Sequence, residues 1–339
     1  MSTIKIQGYA ASAVGQPLMP ISYEPPELGA SDVRVAVTHC GLCHTDIQAI
    51  ENFYDITKYP FVPGHEIVGL VSQVGNAVTD LKIGDRVGIG WQGRSCGECE
   101  WCQKGEEQMC LKIEYGATWD PYGGFSTSVM VHNRFAYPLP ESMPSEVAAV
   151  LMCAGISVYS PLRTYAGEGR QKLAILGVGG LGHLAIQFAH AMGYEVTVIS
   201  TSPDKKQQAY TLGADNFFVS SDRPIYLQHI FTYDLVLCTA TGQLPWNVLL
   251  NIPKKRGRII LVSFPDMGMN PTDLVAHDLS ITGSFIGNHA TMREMLVFAH
   301  ANSITPMVEL MPMSQINQAI LRVRENKARY RIVMVNVAN

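Results

Sequence analysis

The run Leu173–Tyr194 contains no Asp, Glu, Lys or Arg and is long enough to cross a bilayer as a helix. Within it, residues 177–182 read Gly-Val-Gly-Gly-Leu-Gly, a cluster that disfavours a lipid-facing helix. A strand, a tight turn and a helix account for the same residues better. Lys172–Leu176 is an apolar strand, and Gly182–Met192 repeats its apolar side chains at helical spacing. Gly177 then permits the turn, Gly179 lets backbone approach a pyrophosphate, and Gly182 lets helix pack on strand. Gly180 and Leu181 complete a loop that ends on the free N–H groups of a helix N-terminus. This segment commits the second half of the chain to a dinucleotide-binding α/β unit.

The surrounding pattern agrees. Apolar strands are expected at Lys172–Leu176, Glu195–Ser200, Asn216–Ser220, Tyr233–Thr239, Arg258–Phe264 and Ser280–Ile286, with helices between several of them, including Lys205–Leu212. Strands alternating with helices imply a parallel, doubly wound sheet. The tail adds a helix, Ser314–Glu325, and a last strand, Tyr330–Val337. The first 150 or so residues read differently. Asp32–Cys40, Ile67–Val74 and Arg86–Ile89 are short alternating strands separated by turn residues, which implies a small, mostly antiparallel β-domain.

The end of the second strand of the α/β unit bears on cofactor choice. A carboxylate there hydrogen-bonds the ribose 2′-hydroxyl of NAD. Here the residues are Ser200, Thr201 and Ser202, followed by Lys205 and Lys206. Hydroxyls and an ammonium suit a 2′-phosphate, which points to NADP(H). The same residues also make an ordinary helix-capping turn.

Eight cysteines need an account, and the N-terminus, with no basic segment leading into an apolar one, reads as cytoplasmic rather than secreted. Thiolate–metal chemistry is therefore expected before disulfides. Cys96, Cys99, Cys102 and Cys110 supply four thiolates in one short loop with Gly97 and Gly105, the pattern of a closed structural zinc site. Cys43, His65, Glu66 and Cys153 are dispersed, and spacing alone does not bring them together. Cys40 and Cys238 fall on expected strands and read as core thiols. Only 16% of residues are charged, with a net charge of −4 and no basic run, so nucleic acid is not an expected partner.

Together these motifs resemble the zinc-dependent medium-chain alcohol dehydrogenases. CGLCHTD (residues 40–46), GHEIVG (64–69) followed by GNAV (75–78), the four-cysteine loop, CAGISVYSPL (153–162), the glycine loop, SFIG (284–287) and KARYRIV (327–333) occur in that family's order over essentially the whole chain. The likeness is greatest to the cinnamyl alcohol dehydrogenase branch, particularly bacterial NADPH-dependent aldehyde reductases. It implies a GroES-like, mostly antiparallel catalytic domain (1–153), a Rossmann domain binding NADP(H) (154–287) and a return segment (288–339).

The resemblance also implies two Zn2+ per chain. The catalytic ion would be held by Cys43, His65 and Cys153, a Cys2His set for which alcohol dehydrogenases are the standing example. Glu66 would stand behind or transiently on the metal, Asp46 would orient His65, and Thr45 would pass the substrate proton. His44 and Arg331 would lie near the pyrophosphate and Ser157 by the nicotinamide, with backbone around Ser263 and Phe285 holding its amide. Trp91, Trp119 and Phe285 match or neighbour substrate-pocket positions and suggest apolar or aromatic aldehydes. One residue departs from the pattern. Gln48 stands where many relatives carry a histidine that completes the proton relay, and an amide cannot take up a proton. A NAD-linked secondary-alcohol or polyol dehydrogenase and a non-catalytic zinc-binding module are the competing expectations. No membrane association is expected; an exposed strand near Ser280–Ile286 invites homodimerisation by edge pairing.

Overall fold

The computed structural model describes residues 5–114, 122–221 and 223–336. The chain divides into two compact units. One comprises the described residues up to Cys153, with Gly287–His300 and the segment from Pro306; the other comprises Ala154–Ile286 and Ala301–Thr305. Relative to the expected 154–287 and 288–339 segments, Gly287 falls in the first unit and residues 301–305 in the second.

The first unit is built on a sheet whose strands run, side by side, Val308–Pro312, Arg331–Val335, Asp32–Leu42, Glu66–Val74, Arg86–Ile89 and Ala136–Pro138, with Ser128–His132 also pairing with Asp32–Leu42. All pairs are antiparallel except the first. Asp32–Leu42 alternates apolar residues because one face packs on a core that includes Val33, Val35, Val37, Phe61, Ile67 and Phe125. Its register places Gly41 opposite Glu66 and Leu42 opposite Ile332. Three neighbouring strands thus bring Cys43, the His65–Glu66 pair and Arg331 to one end of the sheet.

The second unit holds a six-stranded, wholly parallel sheet: β1 (Lys172–Leu176), β2 (Glu195–Ser200), β3 (Asn216–Val219), β4 (Tyr233–Cys238), β5 (Pro253–Leu261) and β6 (Ser280–Gly283). The spatial order is β3-β2-β1-β4-β5-β6, the order of a dinucleotide-binding sheet that reverses direction beside its first strand. β1 and β4 are buried on both faces and read as continuous apolar runs for that reason.

The final strand ends at Gly283 rather than Ile286, whose φ of 49° breaks extended backbone. The strand expected at Arg258–Phe264 begins earlier, at Pro253, and stops at Leu261. Beyond it the Ser263 hydroxyl donates back to the carbonyls of Cys238 (3.1 Å) and Ala240 (2.7 Å). The tail helix covers Ile316–Arg324 and the last strand Arg331–Val335; Val337 lies outside the described residues. One helical run, Ser145–Thr164, is long and apolar enough to cross a membrane, but 78% of its most apolar window is buried inside the protein. Its apolar surface faces core, not solvent.

Candidate active site

Asp32–Leu42 runs directly into Cys43, which caps helix α1 (His44–Ile50). The Asp46 carboxylate closes this turn: Oδ2 accepts the Cys43 N–H (2.8 Å), while Oδ1 accepts the Gly64 N–H (3.0 Å) and meets His65 Nδ1 (2.8 Å). With Nδ1 as the donor, His65 Nε2 is left as a lone pair, and it lies 3.3 Å from Cys153 Sγ. Cys153 comes from a π-helical turn, Leu151–Gly155, that follows Ser145–Val150; such bulges re-aim one side chain out of helical register. One donor atom each from Cys43, His65, Glu66 and Cys153 lie within 4.8 Å of one another, and all four residues are buried.

The electrostatics of this cluster are those of a site made for a cation. The Cys43 thiol is held well below its ordinary value by a hydrogen bond with Cys153 and by the nearby Arg331 and His65, whereas that hydrogen bond and burial push the Cys153 thiol up. Burial raises Glu66 to about 8 against the pull of Arg331. Glu66 Oε1 meets Arg331 Nη1 at 3.3 Å, but Oε2 is buried with no hydrogen-bond partner among the described residues. Two thiols, an oriented imidazole and an orphaned carboxylate oxygen fit a divalent, thiophilic metal. Gly41 is required beneath them, because a β-carbon there would overlap Glu66 Oε2. That glycine is visible within CGLCHTD, but its role shows only in the register of the two strands.

Thr45 Oγ1 lies 3.7 Å from Cys43 Sγ, and Gln48 follows one turn later on α1. Trp91 is buried beside Gly90, which abuts the Met152 carbonyl next to Cys153. His44 is exposed. Arg331, expected near the pyrophosphate, is buried against Glu66 inside the first unit. Trp119 lies outside the described residues.

The four-cysteine loop forms a second cluster in the same unit. Ligand atoms of Cys96, Cys99, Cys102 and Cys110 again lie within 4.8 Å of one another. Gly97 and Gly105, with φ of 72° and 74°, provide its turns. Backbone N–H groups of Cys96 and Lys112 donate to Cys110 Sγ (3.3 and 3.4 Å), and that of Cys99 to Cys96 Sγ (3.4 Å). Such donors favour thiolates. Those of Cys102 and Leu111 hold Cys99 at about 6. All eight cysteines are free; Cys40 and Cys238 are fully buried in the cores of the first and second units and join neither cluster.

In the second unit, β1 enters the glycine loop at Gly177, whose φ is 94°. A β-carbon on Gly179 would meet nothing within 4 Å, whereas one on Gly182 would overlap the Gly177 carbonyl. The loop is thus open at Gly179 and closed against helix α2 (Gly182–Ala191) at Gly182, with Gly180 and Leu181 between. At the end of β2, the Ser200 hydroxyl accepts the Ser202 N–H (3.1 Å); Thr201 is exposed. Lys205 Nζ donates to the Val178 carbonyl (2.7 Å), which holds the ammonium over the glycine loop. Ser157 is half-buried, and the Phe285 side chain is 45% exposed.

Comparison with known proteins agrees with this architecture. Residues 29–141 match the alcohol dehydrogenase GroES-like domain and residues 180–301 the zinc-binding dehydrogenase domain. The chain is 37% identical to a rice protein named "Probable cinnamyl alcohol dehydrogenase 6", over 98% of this chain and 96% of that one. It is 39% identical to 8-hydroxygeraniol dehydrogenase of Catharanthus roseus, over 99% and 96%. The crystal structure of CAD from Helicobacter pylori, complexed with NADP(H), superposes with a TM-score of 0.89 at 29% identity, covering 98% of both chains. The chain therefore belongs to the zinc-dependent medium-chain alcohol dehydrogenases, enzymes of alcohol and aldehyde oxidoreduction, with cinnamyl alcohol dehydrogenases among its relatives.

Proposed function

We infer that this enzyme acts mainly as an NADPH-dependent aldehyde reductase, with the reaction centred on Cys43, His65 and Cys153. The convergence of their donor atoms with Glu66 carries the reading. When bound there, zinc supplies a Lewis acid for the carbonyl oxygen, and the reduced nicotinamide supplies the hydride. The rest falls to the chain. Asp46 fixes the His65 ring and the Cys43 turn together. Glu66, neutralised on one oxygen by Arg331, offers the metal a further donor. Thr45, beside the Cys43 sulfur, hands a proton to the substrate oxygen as the alcohol forms and takes it back in the reverse direction. Gln48 cannot store that proton, so it comes from solvent.

The glycine loop and the N-terminus of α2 receive the pyrophosphate. Ser200, Thr201, Ser202 and Lys205 receive the 2′-phosphate, where the absence of a carboxylate from residues 200–202 favours NADP(H). His44, Ser157 and backbone at Ser263 and Phe285 complete the cofactor contacts, and Trp91 and Phe285 contribute to the substrate pocket. The four-cysteine cluster holds the second zinc, a structural one. β6 closes one side of its sheet and offers an edge for a second copy, which supports a homodimer; eight free thiols suit the cytoplasm.

The test is steady-state kinetics on a panel of aldehydes and alcohols with NADPH and with NADH, with zinc measured on the same samples. The expected result is two zinc ions per chain and the highest kcat/KM for aldehyde with NADPH. Cys43→Ser should lose one ion and turnover together. Loss of the ion with turnover retained would defeat the assignment.

A further inference from the structure

Two glycines stand two residues apart where the strand Arg86–Ile89 ends, in the run Val87-Gly88-Ile89-Gly90. Glycine weakens a strand and packs nothing of its own, and inside a sheet it marks a place where another group comes close. Residues two apart share one face of a strand, and here both bare positions meet the same residue. A β-carbon on Gly88 would lie 2.5 Å from Met152 Sδ and 3.0 Å from its Cε, and one on Gly90 would lie 3.0 Å from the Met152 carbonyl oxygen. Met152 is thus gripped at its side-chain tip and at its backbone. The notch has walls as well: the same β-carbons would meet Leu139 Cδ2 at 3.2 Å and Met292 Cε at 3.8 Å.

The position of Met152 gives this grip its consequence. Met152 is fully buried and immediately precedes Cys153 in the π-helical turn Leu151–Gly155. The strand that grips it pairs Gly88 with Val68 and Ile89 with Ile67, so the neighbouring strand leads straight back to Glu66 and His65. Cys153 Sγ lies 3.3 Å from His65 Nε2. A packed path therefore runs from Cys153 through Met152 and the two glycines to the strand Glu66–Val74. It joins a thiol and an imidazole 88 residues apart in sequence.

The distances set the scale. Carbon contacts settle at roughly 3.5–4.0 Å, so a methyl group on Gly88 would drive the Met152 tip back by about 1 Å. Metal–ligand bonds hold within about 0.2 Å of their preferred lengths. In a close-packed interior the displacement passes on to the turn. A fraction of it is enough to spoil the reach of Cys153.

We propose that Gly88, Gly90 and Met152 form a packing key that fixes how far Cys153 reaches towards His65, and so the geometry of the donor set. Met152 is then a positioning residue that acts through Cys153. This rests on the reading of Cys43, His65 and Cys153 as the reaction centre.

The experiment compares zinc retention and kinetics in Gly88→Ala, Met152→Ala, the double variant Gly88→Ala with Met152→Val, and Val131→Ala. Valine ends at its γ-carbons, so the double variant adds one heavy atom at 88, removes one at 152 and keeps the volume. Val131→Ala truncates the same core on another strand and controls for a general loss of stability. Gly88→Ala should release one of its two ions at roughly 10- to 100-fold lower chelator concentration. Its kcat for aldehyde should fall in step while the KM for NADPH stays as in the wild type. Met152→Ala, which empties the notch without a clash, should loosen the same ion. The double variant should recover both zinc retention and kcat, whereas Val131→Ala should melt lower and keep both. Wild-type zinc retention in Gly88→Ala and Met152→Ala, no recovery in the double variant, or an equal loss in Val131→Ala would overturn the key and leave the reductase reading intact. A wild-type enzyme with no ion sensitive to Cys43→Ser would overturn both.

Discussion

The His65 ring and the Asp46 carboxylate meet at 2.8 Å, both 1% exposed, and the same carboxylate also accepts the Cys43 and Gly64 backbone N–H groups. One side chain therefore sets the tautomer of the histidine and the position of the cysteine. Asp46→Asn should preserve shape while losing the charge that strengthens the Nδ1–H donor. Removing such an outer partner costs roughly 10- to 100-fold in metal affinity. Chelator titration followed by zinc analysis should find one of the two ions released at correspondingly lower chelator concentration; unchanged retention would mean that Asp46 serves only the backbone turn.

Cofactor selection can be probed at Ser200, at the end of β2, where the hydroxyl is buried and accepts the Ser202 N–H. Ser200→Asp would place a carboxylate where a 2′-phosphate is expected. Like-charge repulsion should raise the KM for NADPH by about tenfold or more and leave NADH equal or improved. Unchanged NADPH kinetics would remove the Ser200–Ser202 turn from the phosphate site.

What was legible in the sequence depended on how local the responsible interactions are. β1 and β2 stand where their apolar runs placed them, because strands buried on both faces read as nearly continuous apolar segments. The four-cysteine loop was legible from spacing alone, since one short segment supplies every donor. β5 was read short because Lys254, Lys255 and Arg256 open it with exposed polar residues, and Arg256 has a φ of 64°. The second cluster was legible only through family resemblance: 88 residues separate His65 from Cys153, and only the folded sheet and the π-helical turn join them. The Arg331–Glu66 pair and the Gln48–Tyr54 bond carry no periodicity or motif, so they appear only in the folded chain.

The four-cysteine cluster makes a separable prediction. Its backbone N–H donors already favour thiolates, so losing one ligand should release the ion rather than merely weaken it. Cys99→Ser should contain one zinc per chain, melt lower by roughly 5 °C and be cut faster by protease within residues 96–110. The kcat of the folded fraction should stay close to wild type, because no residue of this loop belongs to the Cys43–His65–Cys153 cluster. A full complement of zinc in this variant would show that three thiolates suffice.

His289 gives the acid limb of stability a named source. The Tyr137 hydroxyl lies 2.8 Å from its Nδ1, its ring lies 4.4 Å from that of Phe135, and Nε2 stands 4.0 Å from Glu107, itself paired with Arg134 (2.8 Å). Burial holds His289 at about 4; Glu107 opposes that shift, and Arg134, Arg293 and His132 add to it. An unfolded histidine titrates near 6.5. Between about pH 6.5 and 4 the unfolded chain therefore binds the proton that the native state refuses, and stability falls as pH drops through that window. Above pH 6.5 the group contributes no pH dependence. The loss approaches about 3 kcal/mol by pH 4. His289→Gln keeps a hydrogen-bonding side chain but no titration in this range. Urea melts at pH 7.5 and pH 5 should show a smaller acid loss in the variant than in the wild type by about 1 kcal/mol or more; parallel losses would place the acid sensitivity elsewhere.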